Sequence, residues 1–381
     1  MSDYLKRYSI KLKVLSPVHI GSGEIINKKG YILDRKKHAL YYPDLHSMMK
    51  TLRAQRLLEG YERLLLSKNG DLFAFLQDNL LDWADWCSEP ISVGGIIESR
   101  FNEINTFIKD PYGFPYVPGS SVKGAFRNVI LNHEARSRRL SGIPLVSLPL
   151  NPKWRRREAD NEVKRIESDV FDILNRNDKK RNTAVNDVMA AFRFSDSKPL
   201  PKNTLMIGRK MDQPVKYKRG EIKQLPTYRE CLKPGTVIDL TLTVDTALLQ
   251  DTSYVDLFER KRFKTESGKV IEMPVFIARL RNFNLYYHDE YRMHFSDIEP
   301  LQPNVLYLGG GTGFLTKTMM IGLLEKEPRL NYIADYLNNN FKKHKHYEDK
   351  NLGVSPRMLK LTEFNGKRYE MGRCAISIEE I

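Results

Sequence analysis

The chain has 381 residues, 41% of them hydrophobic and 29% charged, a balance that suits a soluble globular protein of about two domains. Its 62 lysines and arginines against 47 acidic residues give a net charge of +15 and a pI of about 9.5, so a polyanion such as RNA or DNA, or an anionic membrane surface, is the partner to expect. No run approaches 18 apolar residues, which excludes a helical membrane span. The start "MSDYLKRYSIKLKV" lacks the apolar core of a signal peptide, and three scattered cysteines, Cys87, Cys231 and Cys374, fit a reduced, cytoplasmic setting.

Tyr8, Ile10, Leu12 and Val14 alternate with polar residues, the period-two mark of a strand with one buried face. Pro17 and the glycines of "SPVHIGSG" end it, which places His19 just before a Gly-Ser-Gly loop with Ser22 at its centre. "KKGYILDRKKHALYYPD" reads as a hairpin turning at Asp34 to His38. From about 45 to 90 the apolar spacing becomes helical, and Trp83 and Trp86 fall on one face, as core or as a partner-docking surface.

In "PYVPGSSVKGAFRNVI", Ser120 and Ser121 stand where a helix cap belongs, with Phe126, Val129 and Ile130 following at helical spacing. A helix start presents unpaired N–H groups and partial positive charge, so it suits an anion. Lys123 and Arg127, four apart, can reach the same side. An ordinary capped helix is the plainer reading.

The stretch 136–181 is strongly biased, with thirteen basic against seven acidic residues, a net of +6. It contains a proline loop (Pro144, Pro149, Pro152) and a helix near Arg156 to Leu174, which a solvated charged face would also explain. After Pro234-Gly235 a second alternating strand follows at Ile238, Leu240, Leu242 and Val244, and a third at Cys374, Ile376 and Ile378. The expected fold is α+β, with two similar units over 1–223 and 224–381.

"LGGGTGFLTKTMMIGLL" has the look of a phosphate loop but misses its pattern: counted from Gly311, Thr316 stands where glycine must precede Lys317-Thr318. Nucleotide binding is therefore set aside. Gly310, Gly311, Thr312 and Lys317 instead suit close approach of an RNA backbone, or a tight turn needed for packing. The histidines form neither H-E-x-x-H nor a zinc pattern, and His19 has no readable partner for acid–base work. No catalytic residue, metal or cofactor is expected.

Taken together, "SPVHIGSG", "FPYVPGSSVKGAFR" and the distant "LGGGTGFLTKT" resemble the RAMP superfamily of CRISPR proteins. "PGSS-x-KG" is the most specific of these segments, and the likeness covers most of the chain, although about 136–225 carries no matching motif. The segment order looks most like the Csm-type RAMP subunit at the guide-RNA 3′ end of type III-A effector complexes. The resemblance implies ferredoxin-like, RRM-related domains, here two, with the helical stretch inserted in the first. It also implies a non-catalytic guide-RNA (crRNA) binder that packs on neighbouring backbone RAMP subunits, serves crRNA maturation and antiviral defence, and has host nucleases as further partners. His19, Ser22, Ser120, Ser121, Lys123, Arg127, Gly310, Gly311, Thr312 and Lys317 are then the RNA-contacting candidates. Backbone subunits cut target RNA with a loop aspartate, but neither Asp34 nor Asp44 matches it. The alternative within the superfamily is a CRISPR repeat endoribonuclease, against which the "PGSS-x-KG" start and the long insertion argue. A basic scaffold without RNA contact is the third reading, separable by salt-dependent RNA binding.

Overall fold

In the computed structural model the described residues are all but 1–3, 88, 95–100, 144–150, 154–155, 178, 180–182, 217–220 and 265–267. Pro144, Pro149, Arg155, Lys180 and Arg181 of the basic stretch lie outside them. In chain order the strands are β1 (Leu5–Val14), β2 (Gly21–Ile26), β3 (Ile32–Asp34), β4 (Ala39–Tyr41), β5 (Ile91–Val93), β6 (Ile104–Phe107), β7 (Phe192–Phe194), β8 (Leu205–Pro214), β9 (Lys223–Leu232), β10 (Val237–Asp245), β11 (Arg260–Lys264), β12 (Val270–Pro274), β13 (Val305–Tyr307), β14 (Met358–Phe364), β15 (Lys367–Glu370) and β16 (Arg373–Glu380). The helices are α1 (Leu45–Ala54), α2 (Leu58–Leu66), α3 (Leu72–Asp78), α4 (Gly119–Leu140), α5 (Arg156–Phe171), α6 (Thr246–Leu249), α7 (Val275–Glu290), α8 (Met320–Leu323) and α9 (Lys326–Asn340).

The alternation in β1 buries Tyr8, Ile10, Leu12 and Val14. β1 is the centre of an antiparallel sheet ordered β13-β16-β1-β10-β7, in which Ile10 faces both Leu240 and Ile378. The path β1, α4, β7, β10, α7, β16 follows the β-α-β-β-α-β order of a split βαβ unit. Helices α4 and α7 pack beside each other through Phe126 and Phe276, whose rings stack 4.0 Å apart.

A second, curled sheet runs β2-β6-β9-β8-β5-β4-β3, with β14 joined to β8 and β15 to β14. Its β5–β8 and β6–β9 pairs are parallel. The fold is thus mixed α+β. Both sheets draw strands from either side of residue 223, so the two sides interleave. The chain's first and last strands lie side by side, which closes the first sheet only when nearly the whole chain is in place.

The insertion forms its own small core of Ile32, Met48, Leu52, Tyr61, Leu72, Leu76 and Trp86, with Trp83 against Tyr41 and Phe73. Both tryptophans are therefore packing residues. Asp34 is a turn residue, as its environment in the β3–β4 hairpin dictates: its Oδ1 accepts from the N–H of Lys36 and of Lys37.

Two local expectations need correction. The Gly-Ser-Gly segment is the exposed start of β2 rather than a free loop, because Gly21 pairs with Phe107. Ser120 and Ser121 do not cap α4. The N-cap is Pro118 and the helix begins at Gly119. The reason is packing: a Cβ at Gly119 would lie 2.5 Å from the Phe194 carbonyl oxygen and 2.6 Å from that of Ser195, so only glycine lets the helix start close against β7.

Candidate nucleic-acid interface

The glycine loop and His19 meet. Gly310 N–H donates to the His19 carbonyl at 2.6 Å, and Gly309, at φ +81°, would place a Cβ only 2.2 Å from that same oxygen. The glycines are needed because two backbone segments touch here. From the other side α4 holds the end of the loop. Asn128 Nδ2 donates to the Thr316 carbonyl and Asn132 Nδ2 to that of Thr318, while Asn132 Oδ1 accepts from Gly322 N–H. Thr316 Oγ1 closes the turn onto the Thr312 carbonyl.

His19 is buried. Its Nδ1 lies 2.8 Å from the Glu230 carbonyl, which fixes Nδ1 as the protonated nitrogen and leaves Nε2 as an acceptor beside Gly21. Burial pulls its pKa down to about 4, against the pull of that hydrogen bond, and the charges of Arg229 and Lys317 lower it further. At neutral pH His19 is an uncharged ring, and it acts as a brace between β9 and the glycine loop.

The same two cations are the chemical feature of the site. Arg229, on β9, has only a 3.9 Å contact from Nη1 to the Met371 sulfur, and its guanidinium lies where a Cβ on Gly311 would fall, 2.6 Å away. Lys317 is solvent-exposed. Desolvation, then the charge of Arg229, lowers its pKa. Among the described residues neither cation has an acidic partner. Two like charges near each other without a counter-ion suit an anion. The nearest buried acid, Glu230, is taken: it accepts from Phe107 N–H at 2.6 Å and pairs with Lys109 at 2.8 Å.

The other candidates are placed differently. Ser22 Oγ shares a 2.6 Å hydrogen bond with Thr106 Oγ1 on the exposed β2–β6 edge. Thr312 is buried, and its Oγ1 has no hydrogen-bond partner among the described residues. At the α4 start, Gly119 N–H donates to Asp196 Oδ1 at 2.8 Å, so a carboxylate already sits on that helix end. Arg127 pairs with Asp187 at 2.8 Å and Glu167 at 3.5 Å, and covers the Phe171 ring. Lys123 is partly buried, and that burial lowers its pKa. The structure therefore brings His19, Gly310, Gly311 and Lys317 together and leaves the α4 start internally satisfied.

Much of the basic stretch is also engaged internally. Arg136 lies 3.5 Å over the Tyr286 ring, Arg138 reaches the Asp169 carbonyl, and Arg165 pairs with Glu162 and Asp169. A cleft of about 160 Å³ beside Lys317 is lined by Tyr332 and Tyr336 but also by Asp160, Glu162 and Glu167, a poor wall for a polyanion. Among the described residues no group of three His, Cys, Asp or Glu side chains could hold a metal ion, and no helix is long and apolar enough to cross a membrane.

Sequence reasoning missed Arg229 and Glu230. The alternation Tyr228, Glu230, Leu232 in "TYRECL" puts a carboxylate on a buried face, a signal for a buried ion pair. It leaves Arg229 on the opposite face, but nothing in the sequence points Arg229 at a glycine 82 positions away.

Comparison with known proteins agrees with this architecture. The family model described as "RAMP superfamily" matches residues 11–315. The protein "CRISPR system Cms protein Csm5" of Mycobacterium tuberculosis (strain CDC 1551 / Oshkosh) is 30% identical over 402 residues, covering 99% of both chains. The Streptococcus thermophilus protein of the same name is 30% identical over 333 residues, covering 84% of this chain and 81% of its own. The chain belongs to the RAMP superfamily and, within it, to the Csm5 family. Among solved structures, a chain of the cryo-EM structure of a Csm–crRNA–target RNA ternary complex in a type III-A CRISPR-Cas system superposes with a TM-score of 0.59 at 20% identity, covering 98% of this chain and 100% of the other. The crystal structure of T. onnurineus Csm5 gives 0.53 at 17% identity, covering 96% and 99%. At these identities the likeness is one of fold.

Proposed function

We propose that the chain is the non-catalytic guide-RNA-binding subunit of a type III-A CRISPR effector complex. In this reading it binds toward the crRNA 3′ end, packs on backbone RAMP subunits, and serves crRNA maturation and antiviral defence. The observation that carries it is the pair Arg229 and Lys317 beside the glycine loop, close enough to feel each other's charge and without an acidic partner among the described residues. Gly311 lets the Arg229 guanidinium lie against the loop, where a Cβ would come within 2.6 Å of it, and the overall charge of +15 draws the strand in. Membership of the Csm5 family, and a fold shared with a chain from a crRNA-containing complex, support the same partner. His19 orders the loop instead of reacting, since its Nδ1 is tied to a carbonyl and its ring is uncharged at neutral pH.

The test is assembly. The chain is co-expressed with the neighbouring backbone RAMP subunits, the complex is purified, and the ends of the bound RNA are sequenced. The expected result is guide RNA of defined 3′ end with the unmodified chain, and loss or fraying of that end with Arg229→Gln/Lys317→Gln at unchanged melting temperature. Repeat and target RNA incubated with the purified chain, with and without Mg²⁺, should stay intact. Cleavage that His19→Ala abolishes would establish the endoribonuclease reading instead.

A further inference from the structure

Outside the glycine-loop site, uncompensated charge gathers on the turn "FKKHKHY", Phe341 to Tyr347, which follows α9. Phe341, Lys342, Lys343, His344, Lys345 and Tyr347 are all exposed, and the two large aromatics are 54% and 53% exposed. Every nearby acid is engaged elsewhere: Asp335 pairs with Lys350, and Glu348 and Asp349 pair with Arg357. Among the described residues Lys342, Lys343 and Lys345 have no acidic partner. A charge run alone is usually only a solvated face, but this one is built. Asp349 is fully buried and accepts from Ser355 Oγ at 2.8 Å and Arg357 at 2.9 Å, with His346 Nδ1 3.0 Å away. Arg357 also donates to the backbone carbonyls of His344 and Lys345. That clamp holds Lys345 at φ +49°, ψ +49°, a left-handed conformation costly for a residue with a side chain. The buried ion pair thus fixes the shape of a turn whose outer surface is cationic and aromatic.

We infer that the Phe341–Tyr347 turn is a second, sequence-tolerant contact for single-stranded RNA, in which Lys342, Lys343 and Lys345 meet phosphates and Phe341 and Tyr347 stack on bases. The alternation of cations with exposed rings on a fixed backbone is what an unpaired strand recognises, because every base has a π-face and every linkage a charge. An acidic protein segment would use the lysines but not the aromatic faces, and a duplex hides its bases.

The experiment measures binding of a fluorescein-labelled oligouridylate of 20 residues to the full chain by anisotropy across a salt series. Three variants are compared at matched melting temperature: Lys342→Gln/Lys343→Gln/Lys345→Gln, the charge-matched control Lys11→Gln/Lys13→Gln/Lys36→Gln, and Phe341→Leu/Tyr347→Leu. Each lost phosphate contact lowers the salt slope of single-strand binding by about 0.7, so the lysine triple should flatten it by about 2. The control should leave the slope near the unmodified value. The aromatic pair should weaken binding by about fivefold or more with the slope unchanged. A lysine triple that behaves like its control, or an aromatic pair that binds like the unmodified chain, overturns the inference. Arg229→Gln/Lys317→Gln is run beside them. A loss there with none at the turn removes this inference alone, and a loss at the turn with none there removes the glycine-loop site alone.

Discussion

The α4 start and the glycine loop look alike in sequence: each is a run of small residues followed by a lysine and a helical segment. Folded, they are opposites. At the α4 start the helix end carries the Asp196 carboxylate, and Arg127 is held between Asp187 and Glu167. At the glycine loop Arg229 and Lys317 stand together without an acid. The difference teaches that a basic motif stays a candidate for a polyanion only where the fold withholds the counter-ion. A cation with an internal partner contributes to stability, and one without contributes to binding, so variants at the two kinds of position should separate in their readouts.

The largest effect is expected at the most completely neutralised cation. Arg292 is buried, pairs with Glu370 at 2.7 Å and donates to the Glu299 carbonyl at 2.9 Å, while Tyr287 shares the same carboxylate. Arg292→Met leaves Glu370 buried without its charge partner and should cost about 3–5 kcal/mol of stability in urea melts. The RNA affinity of the protein that remains folded should not change.

Next in size is an acid-side loss of stability carried by His19. Its folded pKa, about 4, lies below the 6.5 of an exposed histidine, so between these values the unfolded chain binds a proton that the folded chain does not. Stability therefore falls as pH drops from about 6.5 toward 4, by roughly 3 kcal/mol once both pKa values are passed. His133, likewise pulled down to about 4 by burial, adds a second such group over the same window. His288 and His294, also lowered chiefly by burial, contribute to the same slope, so His19→Gln, which keeps a donor for the Glu230 carbonyl, should remove part of it in melts at pH 7, 5.5 and 4.5. An unchanged slope would mean that His19 takes up its proton at the same pH folded and unfolded, and the buried, uncharged brace would be wrong.

How far the sequence reached is clear from these positions. Period-two alternation was enough for β1, β10 and β16, the hairpin at Asp34 was readable from its own turn, and the insertion was readable from helical spacing, because each signal is local. The order of the sheet was not, since β1 lies between β10, from the middle of the chain, and β16, from its far end. Nor was the partner of any cation. Asp196 is 77 residues from the glycine it caps, and Asp187 is 60 from Arg127. Those contacts exist only after tertiary folding, which is why two motifs of equal promise in sequence diverge in the structure.

At the glycine loop the effect should be smaller and confined to binding. Arg229→Gln/Lys317→Gln removes two contacts, which should flatten the salt slope of single-stranded RNA binding by about 1.4. Affinity should drop about tenfold at moderate salt, on the order of 1.4 kcal/mol. Stability should hold or rise, because two cations that repel each other are removed. A fall in melting temperature that tracks the loss of RNA would make the pair structural and erase the contrast.

The smallest effect on RNA binding, and the sharpest test of the comparison, is at Arg127. Its guanidinium has two acidic partners and the Phe171 ring beneath it, so Arg127→Ala should lower stability by about 1.5–3 kcal/mol, the usual worth of hydrogen bonds to charged groups. Part of that loss comes from Asp187, which also accepts from Met189 N–H at the start of the Val188–Ala191 turn and would lose its hydrogen-bonded cation. The RNA salt slope should stay where it is. Removing one positive charge still weakens long-range attraction at low ionic strength, so the comparison belongs at about 0.15 M salt, where the screening length is about 8 Å. If Arg127→Ala instead melts like the unmodified protein and flattens the slope by about 0.7, its carboxylate partners must release it to the strand. The RNA path would then run along the α4 start as well as the glycine loop, and the rule that an internal acid removes a cation from binding would fail at the position where it is most directly tested.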